Sequence, residues 1–161
     1  MDILNYALQF EKEGEKFYKQ EKERVKDKNI AQILQFLAQE ERNHYRVIKQ
    51  LKQDINERPA TIFISSVKNI FSKMVENNEK FIVDNAEIIQ VLEKALKIED
   101  DSIKYYQEKS EVVTDVKARE ILQILKKEED IHYSLISSII EYYEKPKLWL
   151  EQAEFSNLED Y

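Results

Sequence analysis

Sliding the sequence along itself by 88 positions lays one segment of the chain on another. Glu11 falls on Glu99, Tyr18 on Tyr106 and Asp27 on Asp115. Ile33, Leu34, Gln35 and Leu37 fall on Ile121, Leu122, Gln123 and Leu125. Glu40-Glu41 falls on Glu128-Glu129, His44-Tyr45 on His132-Tyr133, and Ile48 on Ile136. Apolar, aromatic and histidine positions coincide, so the repeat is not an echo of abundant Glu and Lys. A chain made of two such copies is constrained to pack one against the other.

Each copy reads as a helical hairpin. The 161 residues include one Gly and two Pro, too few for the turns of an all-β fold. Hydrophobic residues make up 42% and charged residues 35%, which suits one domain with a sizeable core. Ile3, Ala7, Phe10, Gly14, Phe17 and Tyr18 recur at helical spacing and predict a first helix over about 1–26. A polar break at 25–29 follows, in which Asp27 or Asn29 can cap a second helix over about 30–56. Arg58-Pro59 ends that helix. The stretch to about residue 85 reads as a long crossover, with room for a short helix turning Val67, Ile70, Phe71 and Met74 inward. A third helix over about 86–113, a break at Thr114-Asp115 and a fourth helix over about 116–144 complete the pattern, and Pro146 closes it. The expected architecture is all-α: two pseudo-symmetric hairpins joined by a long crossover into a four-helix bundle. The bundle takes residues 1–145, with the crossover at about 57–85. The tail 146–161 carries Trp149, Leu150 and Phe155 and is expected to pack on the bundle or on a partner subunit.

The chain contains no cysteine, which excludes disulfides, thiolate zinc sites, a catalytic thiol and cysteine-bound clusters within it. The formal net charge of −7, without a concentrated basic patch, works against nucleic-acid phosphates. No apolar stretch has membrane-spanning length, and MDILNYALQFEKEGEKFY does not read as a secretion signal. The expectation is a soluble cytoplasmic protein with neither nucleic acid nor membrane as partner.

The chemistry is concentrated on the repeat. The only two histidines each follow a glutamate by three residues, Glu41-Arg-Asn-His44 and Glu129-Asp-Ile-His132. Positions three apart share a helix face, so a carboxylate and an imidazole can reach one cation. Glu11 precedes His44 by 33 residues, and Glu99 precedes His132 by the same number. The midpoints fall near Asp27 and Asp115, in the two breaks. Residues equidistant from an antiparallel turn lie at the same depth, here roughly 20–25 Å above it at 1.5 Å per residue. Glu11, Glu41, His44, Glu99, Glu129 and His132 therefore converge in mid-bundle. Buried without a metal they would be costly, whereas four carboxylates balance two divalent cations. Carboxylate and imidazole donors favour iron, with manganese or zinc as other occupants. Glu40 and Glu128 read either as supports of this set or as surface ion pairs.

These six residues match the ferritin-like di-iron carboxylate proteins, and EKEGEKFY and EDDSIKYY resemble the rubrerythrin-type branch. The resemblance covers about residues 3–143. It implies a non-haem dimetal centre that reacts with oxygen or peroxide. Glu41 and Glu129 would bridge ions about 3.5–4 Å apart, with Glu11 and Glu99 as terminal ligands. Two departures stand out. Rubrerythrins carry a rubredoxin-like iron site held by four cysteines; its absence requires an external electron-donor protein. They also place an extra carboxylate one turn after the third-helix glutamate, where this chain has Ser102, so peroxidase chemistry relying on that ligand is not implied. Ser102 is the repeat counterpart of Gly14. Gly14 and Ser102 serve either close helix packing or room beside the metals for oxygen, peroxide or water. Tyr18 and Tyr106 are either core aromatics or hydrogen-bond partners of the ligating carboxylates. Tyr45 and Tyr133 read as packing residues.

The expected function is an oxidoreductase that reduces hydrogen peroxide or oxygen. Its rivals are a ferroxidase or iron-handling protein and a non-catalytic interaction protein whose bundle is stapled by metal. Association of relatives leaves a homodimer open.

Overall fold

The computed structural model describes residues 2–53 and 86–144. They form four helices: α1 Ile3–Arg24, α2 Lys28–Lys52, α3 Ala86–Val112 and α4 Val116–Glu144. No strand occurs among the described residues. The crossover expected over 57–85, its short helix and the tail 146–161 lie outside them.

The repeat is visible in the capping. The Asp27 carboxylate accepts from the backbone N–H of Asn29 at 2.9 Å and of Ile30 at 3.0 Å, closing the start of α2. Asp115, its counterpart, accepts from Ala118 N–H at 2.7 Å at the start of α4. Val25 N–H caps the end of α1 through Glu21 O, and Val113 N–H caps the end of α3 through Lys109 O, each at 3.0 Å. Asp27 also accepts from the Tyr143 hydroxyl at 3.2 Å, tying the far end of α4 to the α1–α2 turn.

The buried faces repeat as well. Helix α1 buries Ala7, Glu11, Gly14 and Tyr18, and α3 buries Ala95, Glu99, Ser102 and Tyr106. Steps of four and three residues keep these on one helix face. Phe10 and Phe17, expected on the inward stripe of α1, are only half-buried flanks of it. On α2 and α4 the pairs Ile33/Ile121, Leu34/Leu122, Leu37/Leu125 and Ile48/Ile136 are buried. Tyr133 is 38% exposed, contrary to its expected packing role. It follows inward-pointing His132 by one residue, about 100° round the helix.

The core divides into two apolar clusters. One gathers Tyr18, Leu34, Leu37, Leu92, Ala95, Ile136 and Ile139, among others. The other gathers Ala7, Ile48, Leu51, Tyr106, Ile121, Leu122 and Leu125 with their neighbours. The first cluster thus joins the α1–α2 turn to the start of α3. The second joins the end of α2 to the α3–α4 turn, so Gln53 and Ala86 sit at opposite ends of the bundle. Every helix passes from one cluster to the other, and each places a glutamate at the crossing: Glu11, Glu41, Glu99 and Glu129. No described helix is long and apolar enough to cross a membrane.

Candidate metal centre

Between the two clusters lies a layer of charged and imidazole side chains sealed from water. Glu11, His44 and Glu129 are fully buried, Glu41 and Glu99 are 1% exposed, and His132 is 2% exposed. The six residues fall into two sets of four, each with its donor atoms within 4.8 Å of one another: Glu11, Glu41, His44 and Glu129, and Glu41, Glu99, Glu129 and His132. Glu41 and Glu129 belong to both sets. Each set takes one lone glutamate and one histidine, and the repeat maps one set on the other.

The imidazoles point inward through Nδ1. His44 Nδ1 lies 3.1 Å from Glu129 Oε1 and 3.3 Å from Glu11 Oε2. His132 Nδ1 lies 3.0 Å from Glu129 Oε2 and 3.5 Å from Glu99 Oε2. The two rings are nearly parallel, at 15°, with centroids 5.7 Å apart. Glu129 therefore sits between both histidines with one oxygen toward each.

Tyr18 and Tyr106 complete the layer across the hairpins. The Tyr18 hydroxyl on α1 donates to Glu99 on α3, and the Tyr106 hydroxyl on α3 donates to Glu11 on α1. Both tyrosines are fully buried. Burial, with the charges of Glu99 beside Tyr18 and Glu11 beside Tyr106, pushes their pKa values well above 10, so both keep their protons. The tyrosines thus hold one oxygen of each lone glutamate and leave the other for the centre.

The space left by Gly14 is taken by a carboxylate. A Cβ placed on Gly14 would lie 3.1 Å from Glu41 Cδ and 3.3 Å from Cγ, and closer still to Oε2. Of the two readings of Gly14, close packing or room for oxygen, peroxide or water, the first describes the structure, since Glu41 itself occupies that space. Ser102 is buried at the equivalent place on α3.

Glu40 and Glu128 belong to the neighbourhood of the centre and not to the surface. They are 5% and 6% exposed. Glu128 Oε2 lies 2.7 Å from His44 Nε2, and Glu40 Oε1 accepts from Asn43 Nδ2 at 3.2 Å. The signal available in sequence was their coincidence under the repeat and their place one turn before each histidine.

The electrostatics are those of a site short of positive charge. Burial raises Glu11, and it raises Glu41 further with the help of Glu129 and Glu11. Burial and Glu129 lift Glu99 to about 8. Burial would also raise Glu129, but the adjoining His44 and His132 overcome it and hold its pKa well below 4.5. Burial would lower both histidines; the surrounding carboxylates reverse this, taking His132 to about 10 and His44 well above 6.5. Protons on the histidines do not satisfy the site. Glu11 Oε2, Glu41 Oε1 and Glu99 Oε2 are buried without a well-formed hydrogen bond among the described residues, their approaches to histidine Nδ1 being 3.3, 3.9 and 3.5 Å. Buried carboxylate oxygens left in this way among imidazole nitrogens fit divalent cations.

A family model described as Rubrerythrin matches residues 2–140. No curated protein and no solved structure matches the chain.

Proposed function

Since this chain belongs to the rubrerythrin family, we propose that it is a non-haem dimetal oxidoreductase that reduces hydrogen peroxide or oxygen with electrons from a separate protein. One observation carries the reading: two four-residue donor sets share Glu41 and Glu129. That is the arrangement two adjacent cations need, with two carboxylates common to both and one glutamate and one histidine private to each.

His44 and His132 would offer nitrogen donors through Nδ1, and Glu11 and Glu99 would each hold one of the two ions. Iron fits this donor set best, with manganese next. Four carboxylates against two divalent cations leave the buried layer close to neutral, which removes the cost of burying them. When bound, the pair of ions supplies two electrons to break an oxygen–oxygen bond, and an outside donor returns them. The residues do the rest. Tyr18 and Tyr106 fix the lone glutamates by hydrogen bonds that cross the bundle, so closing the centre requires both hairpins. The apolar clusters above and below exclude water, which strengthens each charge interaction inside. These 161 residues include no cysteine for a cysteine-bound second redox centre, and the proposal assigns the supply of electrons to a separate donor protein.

The test is anaerobic loading of the metal-free protein with Fe(II), followed by mixing with peroxide or with oxygen in a stopped-flow spectrometer. Two Fe(II) per chain and repeated peroxide or oxygen consumption with a reductant are expected. Accumulation of many irons per chain would indicate iron storage. Two inert ions whose removal melts the bundle would indicate a structural staple. Either result refutes the oxidoreductase reading.

A further inference from the structure

His44 has both ring nitrogens against carboxylates. Nδ1 faces Glu129 and Glu11 in the central layer, and Nε2 faces Glu128 on the other side of the ring. Glu40, Glu128 and His44 make a third group whose donor atoms lie within 4.8 Å of one another. Glu128 is itself 94% buried by its 6% exposure, and its Oε1 has no hydrogen-bond partner among the described residues. A buried carboxylate with one oxygen on an imidazole and the other on nothing is a costly arrangement. A second carboxylate beside it adds repulsion. The central pair of cations does not relieve this, because its charge is already matched by Glu11, Glu41, Glu99 and Glu129.

We propose that Glu40, Glu128 and His44 Nε2 form a third, transient divalent-cation site through which ions reach the central pair. The inference rests on the dimetal reading of the centre. Position supports it: Glu40 and Glu128 keep a little exposure, whereas His44 and Glu129 have none, so the outer group lies between solvent and the central layer. His44 is common to the outer group and to one central set. A neutral imidazole offers one bare nitrogen at a time. An ion on Nε2 and an ion on Nδ1 therefore exclude each other, and the outer site empties as the inner one fills. Glu128 then accepts the Nε2–H and holds the ring with Nδ1 inward.

The test is anaerobic stopped-flow uptake of Co(II) by the metal-free, full-length protein, followed by the Co(II) absorption and by final stoichiometry. The wild-type rate is expected to saturate with Co(II) concentration, because capture precedes transfer. Glu40→Gln and Glu128→Gln should load about tenfold or more slowly at low Co(II), with a rate that rises linearly, while still ending at two Co(II) per chain. Glu40→Asp keeps the charge and should load faster than Glu40→Gln. Glu120→Gln, which removes an exposed charge from the same helix as Glu128, should load as the wild type does. Wild-type rates in Glu40→Gln would overturn the proposal and leave the group an internal ion pair. A final stoichiometry below two in Glu40→Gln would also overturn it, by making Glu40 part of the centre itself. Fewer than two Co(II) in the wild type would instead overturn the dimetal reading, and the entry site with it.

Discussion

Replacing Gly14 by alanine should strengthen the helix and weaken the centre. Gly14 lies inside α1, where glycine costs about 1 kcal/mol relative to alanine. In the metal-free protein the clashing atoms belong to the far end of a flexible side chain, so much of that gain survives. For a chain of this size it raises Tm by about 2–4 °C. With metal bound, Glu41 has no freedom to move aside. Carbon atoms settle about 3.5–4.0 Å apart, so a Cβ that would lie 3.1 Å from Glu41 Cδ drives the carboxylate back by roughly 0.5–1 Å. Glu41 is common to both donor sets, so both ions are affected. Disturbing the support of a metal ligand typically costs about 10–100-fold in affinity, or about 1.4–2.7 kcal/mol. Ser102 already carries a Cβ, and Ser102→Ala adds nothing for the centre to avoid. The assay pairs thermal melts of the metal-free variants with competitive Mn(II) or Fe(II) titration. Gly14→Ala binding two ions as tightly as the wild type would refute the view that Gly14 is there for Glu41.

Other consequences can be measured in the same way. Tyr18→Phe should weaken the ion on the Glu99–His132 side although Tyr18 belongs to the first hairpin, and Tyr106→Phe the ion on the Glu11–His44 side; titrations finding the reverse, or no loss, would remove the cross-bundle role of the hydroxyls. Asp27→Ala loses a helix cap worth about 1 kcal/mol and the Tyr143 hydrogen bond, worth roughly another 0.5–1.5 kcal/mol, so Tm should fall by about 3–10 °C without a change in metal stoichiometry. The metal-free bundle should lose stability as pH rises from about 5 to 10. Glu99 and His132 bind protons more tightly folded than unfolded: the Glu99 contribution is full below 4.5 and gone above about 8, and that of His132 is full below 6.5 and gone above about 10. Glu129 has the opposite sign and supports the fold only above its unfolded value, losing that support as the solution is acidified. Metal binding should release protons and tighten over the same alkaline range, which calorimetry in buffers of different ionisation enthalpy reads directly.

What could be read from sequence was whatever depends on distance along one hairpin. The equal spacing from Glu11 to His44 and from Glu99 to His132 fixes depth above a turn, and the structure has these residues in one layer. The two aspartates at the breaks cap the helices that follow. Contacts between hairpins were not legible in this way. Nothing in the seven-residue step from Glu11 to Tyr18 says that the hydroxyl reaches Glu99 on α3 instead of its own glutamate. The use of Gly14 was likewise hidden, since it depends on how closely α1 approaches Glu41 on α2. Glu40 and Glu128 stayed open between supporting the centre and pairing at the surface, because abundant charge masks the few carboxylates that point inward.

The reciprocal tyrosine bonds bear on how such a chain comes to exist. Each hairpin carries one lone glutamate, one glutamate-histidine pair and one tyrosine, which is half of everything the middle layer holds. Neither half can seat a cation pair alone, yet two identical halves facing each other would lack nothing. The polypeptide is organised as a self-recognising pair of subunits would be after fusion. Halves that share one backbone need not stay identical, and here glycine stands on one side where serine stands on the other.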